Sequence, residues 1–177
     1  MKKLYMLALA FGLAMFTGCT PNETVLLAAA NTAGNLGLSA WFAIDDPDTE
    51  VKSTLKDVVT LVGNSAGAVA EGGSYVEALT PAIQEFVAKR EGLTGAQKNL
   101  INTGASVVLG TLDTFIDSNT ELKGNAALVT KVVASFCKGC LTAIERSEDC
   151  CSYKALKKAH LNTKMRYDAR AKAFTVK

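Results

Sequence analysis

Five cysteines, one histidine and a run of clustered carboxylates are the residues whose types could carry chemistry in this chain. Cys137-Lys-Gly-Cys140 has the spacing of a thiol-disulfide redox pair, which works by holding its first sulfur as an exposed, low-pKa thiolate at a helix N-terminus. Here the pair falls in the C-terminal part of an expected helix, where the dipole opposes a thiolate, and no βαβ pattern surrounds it. Cys150 and Cys151 would complete a four-sulfur set, yet adjacent cysteines chelate a tetrahedral zinc awkwardly. Leu141 stands where haem attachment needs a histidine. His160, among Lys157, Lys158 and Lys164, reads as a surface side chain. Asp45, Asp46, Asp48 and Glu50 lack the glycine and terminal glutamate of a calcium loop, and helix capping is the simpler reading. No glycine-rich phosphate loop follows a strand, and no serine, histidine and acid share a local context. These residues predict no enzyme, no cofactor and no metal site.

The elements that must position them are helices. At 49% hydrophobic and only 7% aromatic, with no alternating stretch, the chain favours closely packed helices over a sheet. Residues 24–44 carry no charge and are long enough to span a bilayer. Asn31, Asn35 and Ser39, with Thr24 and Thr32, form a polar stripe. Ala30, Ala33, Gly37 and Ala40 form a small-residue face, so a packed helix is expected, with Trp41 as a core anchor. Asp46 and Pro47 read as the cap and first residue of a second helix, with an apolar stripe from Val51 to Val69 and an end at Gly72 and Gly73. Ser74 with Glu77 opens a third helix that Pro81 should kink, and Gly92 closes it. Thr94 with Gln97 opens a fourth, in which Gly104 and Gly110 admit a neighbour. Asn119 or Asn125 caps a fifth, with Val132, Val133, Phe136 and Ile144 on its apolar side. Short connections make successive helices antiparallel, which predicts an all-α bundle of five or six helices.

Residues 1–18 have a different character. Lys2 and Lys3 precede an uncharged apolar run, residues 4–16, of the length of a secretory signal core. Thr17, Gly18 and Cys19 follow, with Phe16 where leucine is usual. This segment resembles the signal peptide and lipobox of bacterial lipoproteins. The resemblance covers about twenty residues and implies cleavage before Cys19, lipidation of its sulfur and a place in the cell envelope. Thr20, rather than an acidic residue, implies the outer membrane, facing the periplasm. Residues 19–23 become a tether, residues 24–149 the helical domain and residues 150–177 a tail. With Cys19 consumed, Cys137, Cys140, Cys150 and Cys151 remain as an even set in an oxidising compartment. Vicinal cysteines pair poorly with each other, so each should reach back to Cys137 or Cys140. Pairing 137 with 151 and 140 with 150 is slightly more compact than the alternative, and either staples a hairpin turning near residues 144–145.

Charge divides the mature chain. Residues 20–149 hold 16 acidic and 9 basic side chains, whereas residues 150–177 hold eight basic ones against Asp168 alone. Lys154, Lys157, Lys158, Lys164, Arg166, Arg170 and Lys172 form a candidate surface for an anionic partner: membrane headgroups, lipopolysaccharide phosphates or an acidic envelope protein. Nucleic acid is not expected for an exported protein. The tail could equally fold back on its own acidic body. The expected function is binding or scaffolding from a lipid anchor. The alternatives are a redox protein using Cys137 and Cys140, and a membrane-active protein whose first helix inserts.

Overall fold

The computed structural model describes residues 22–69 and 73–148. Among them every regular element is helical, as the composition predicts: α1 Glu23–Asp45, α2 Thr49–Asn64, a short α3 Ala66–Val69, α4 Tyr75–Lys89, α5 Gly95–Ser118, a 3-10 turn Thr120–Leu122, and α6 Ala126–Glu148. Contacts divide the chain after Ile144. Residues 22–144 form the body; of the second unit the structure describes only residues 145–148, which continue α6. The signal segment, Cys19, Cys150, Cys151, His160 and the basic tail with its seven candidate side chains lie outside the described residues.

Local capping sets most helix starts. Thr94 and Gln97 form the full reciprocal box at α5, and Asn125 Oδ1 accepts from Leu128 N at 3.1 Å at the start of α6. Asn119 instead closes α5, its amide donating to Phe115 O. The cap of α2 is displaced from the expected Asp46 to Asp48, whose Oδ1 accepts from Val51 N at 2.9 Å. Asp46 adopts a left-handed conformation (φ 37°), donating its N–H to Phe42 O, and so ends α1 rather than starting α2. The second helix is also shorter than its apolar stripe suggests. Ser65 stops it, with N–H and hydroxyl both donated to Leu61 O, and α3 resumes for one turn. Pro81 sits inside α4, which continues to Lys89.

α5 is the central helix and touches α1, α2 and α4. Gly104 meets the ring of Trp41, which is 1% exposed: a Cβ there would lie 2.9 Å from Cη2. Gly110, expected to play the same part, faces open space. The α1–α6 contact advances along both helices together, from Glu23 with Lys131 to Gly34 with Cys140, so these two run parallel. That follows from antiparallel neighbours, since the first and fifth long helices of an up-and-down order point the same way. Their backbones come close at two glycines. A Cβ on Gly34 would collide with Phe136 O, and one on Gly139 with Asn31 O. The polar stripe of α1 serves this contact: Asn31 Nδ2 donates to Ser135 O at 3.2 Å, and Ser135 Oγ to Leu27 O at 2.7 Å. Asn31 is therefore satisfied by a neighbouring helix, while Asn35 accepts from Ser39 Oγ on α1 itself at 3.4 Å. The hairpin turn expected near residues 144–145 is absent, because α6 stays helical through Glu148.

Candidate functional site

Cys137 and Cys140 are free thiols, 5% and 0% exposed. The helix register turns both toward the core. Cys140 Sγ lies 3.5 Å from Gly34 O, where it can donate, and Cys137 lies beside Gly63 of α2. Burial pushes the Cys137 thiol up to about 12. Cys140 is raised well above its usual value, first by burial and then by its neighbour. Both are protonated and sealed at neutral pH, the reverse of what thiol exchange needs. The geometry also rules out one of the expected pairings, Cys137 with Cys150. Eleven helical residues separate Cys137 from Glu148, a rise of about 16 Å, and two further residues span at most about 7 Å, so Cys150 cannot come within bonding reach of Cys137 while α6 persists.

The acidic group at the α1–α2 corner is structural where its contacts are described. Asp48 and Glu50 both accept from Gln97 Nε2, at 2.9 and 3.0 Å, joining the start of α2 to the start of α5. The Asp48 carboxyl is held below its usual range, first by the Val51 N–H and then by Gln97. At the other end of α4, the Arg90 guanidinium pairs with Asp57 and stacks on Phe86. Among the described residues no three metal-ligating side chains cluster.

A cleft of about 600 Å³ opens at the start of α4, lined by Val69, Ser74, Asp113, Asp117, Lys123 and Val129 among others. Sequence reading missed its organising residue, Asp113. Its carboxylate accepts from Ser74 Oγ at 2.6 Å, Tyr75 N at 2.8 Å and Val76 N at 3.1 Å. It thus satisfies the first N–H groups of α4 from across the bundle and complements the helix dipole. Ser74 forms its half of the predicted box with Glu77 N, and Asp113 takes the neighbouring Tyr75 and Val76 N–H groups. Below them Tyr75 donates its hydroxyl to Ala66 O at 2.9 Å. Burial, then the Asp113 charge, raises that phenol to about 12. The only sequence signal for Asp113 is an acid inside an apolar helical run. Its hydrogen bonds are those of a cap, not of a base aimed at a substrate. Compared with family models, curated proteins and solved structures, the chain matches none.

Proposed function

We propose that this chain is a lipid-anchored bacterial envelope protein whose helical body binds or scaffolds other envelope components. The observation that carries this reading is the N-terminal run that ends in Thr17, Gly18 and Cys19. Two or more acyl chains, at about 0.8 kcal/mol per buried CH₂, give stable anchoring. The side chains of the body support it by their roles. Asp48 and Asp113 cap helices, and the Cys137–Cys140 pair is buried, which counts against the redox alternative. In this reading Thr20 directs the protein to the outer membrane, and the basic side chains of residues 150–177 meet an anionic partner.

The test is metabolic labelling with a fatty acid. The parent should carry label on Cys19, and Cys19→Ser should remain an unlabelled, uncleaved precursor. An acylated Cys19→Ser product would sink the proposal. Changing Lys154, Lys157, Lys158 and Lys164 to Gln should remove salt-sensitive binding to anionic vesicles. If it lowers only thermal stability, the tail is docked on its own body.

A further inference from the structure

The exposed large hydrophobic side chains of the described residues, Val25, Leu36 and Ile44, all lie on α1, at 45%, 58% and 58% exposure. At about 100° per residue, Val25, Thr32, Leu36 and Ala43 fall within about 20° of one line along the helix. All four are exposed. The face continues onto α6, where exposed Lys131 and Lys138 sit one heptad apart on the solvent side of the α1 contact. Charge is sorted the same way. Residues 24–44 and 122–144 contain no acid, and their only charges are Lys123, Lys131 and Lys138. Glu23, the acid at the rim, is paired with Lys131 at 2.7 Å. The acid-free stretch ends at exposed Glu145, one heptad beyond Lys138, and Asp45, Asp46 and Asp48 lie at the far end of α1.

We propose that this face, Val25, Thr32 and Leu36 with Lys131 and Lys138, rests on the surface of an anionic lipid bilayer. An uncharged helical stripe beside lysines that can extend to headgroups is the chemistry of an interfacial contact. Chain length commits the face to that occupant. The inference rests on lipidation at Cys19. From there to Glu23 the chain reaches at most about 14 Å, so the start of α1 stays close to the headgroups. A bundle held at that end can lay this side on the lipid, with Asp113 and Asp117, which lie at the same end, facing the α4 cleft.

The experiment uses the full chain in membrane vesicles rich in phosphatidylglycerol, with Leu36→Cys compared with Thr103→Cys, an exposed position on α5. A membrane-impermeant maleimide should label Leu36→Cys about tenfold more slowly in the bilayer than in detergent, the ratio expected when burial of one leucine biases the seated state. Thr103→Cys should label equally in both. Changing Lys131 and Lys138 to Gln should shrink the protection. Equal labelling at the two positions in acylated, membrane-bound protein overturns this inference alone. Absence of acylation removes it together with the anchoring proposal. Oxidation of Leu36→Cys to a disulfide-linked dimer assigns the face to a second copy, and loss of protection on deleting residues 149–177 assigns it to the tail; either result overturns the lipid contact.

Discussion

Replacing Gly139 by alanine tests the central packing contact of the bundle. A Cβ at this position would collide with Asn31 O, and it would also lie 2.8 Å from Asn31 C and 3.0 Å from Asn35 N, all backbone atoms of α1. No rotamer change can relieve a clash between two helix backbones, so the helices must separate. Overpacking alone costs about 1–3 kcal/mol. Separation also stretches the Asn31–Ser135 and Ser135–Leu27 hydrogen bonds, each worth about 1 kcal/mol. A radial gap of about 0.5–1 Å forfeits a quarter to a half of the dispersion at the seam. Against this stands about 1 kcal/mol of helix propensity favouring alanine. The net expectation is a loss of about 3 kcal/mol. Gly110→Ala is the control: its Cβ meets nothing within 4 Å, and the same propensity should stabilise the protein by about 0.5–1 kcal/mol. Urea unfolding of both variants, read as midpoint shifts at constant slope, measures the contrast. Gly139→Ala as stable as the parent would refute the close parallel packing of α1 on α6.

Asp113→Ala should cost about 1–3 kcal/mol in thermal or urea unfolding, because it strips three hydrogen bonds from the start of α4; Thr114→Ala beside it, exposed, should cost far less. Cys137 and Cys140 should resist alkylation in the native protein and react fully in denaturant, and prompt native labelling of Cys137 would contradict its burial. The raised pKa values of Cys137 and Tyr75 make stability fall as pH climbs from the unfolded values, 9.0 and 10.0, toward about 12, because the unfolded chain loses those protons first; urea midpoints across alkaline pH should show the slope, and Tyr75→Phe should flatten it. Asp48 acts at the opposite end of the scale. Its lowered pKa means that its contribution is present above the usual 3.8 and lost as pH falls below it, and Asp48→Ala should cost about 1 kcal/mol near neutrality and progressively less in acid.

The helical class and the starts of α4 and α5 were legible in the sequence, which also narrowed the start of α6 to Asn119 or Asn125. Their determinants act within about four residues: Thr94 with Gln97, Asn125 with Leu128, and apolar stripes at helical spacing. Trp41 as a core anchor and Gly104 as a point of close approach were legible for the same reason, since bulk and smallness are properties of single residues, but that the two meet was not. Tertiary structure decided the rest. Gly34 and Gly139 bear the closest approach while Gly110 faces solvent, although all three are glycines in helices, because only the register between α1 and α6 determines which backbone meets another. Asn31 read only as part of a polar stripe, and it is satisfied by Ser135 O, more than a hundred residues away. Asp113 caps a helix that starts 38 residues before it, a relation no local pattern encodes. The thiols of Cys137 and Cys140 drew attention by spacing alone, and their chemistry was set by burial, which depends on the faces that α1 and α2 turn toward them. Capping and periodicity are local free energies, whereas close approach, desolvation and long-range hydrogen bonding exist only once distant helices have met.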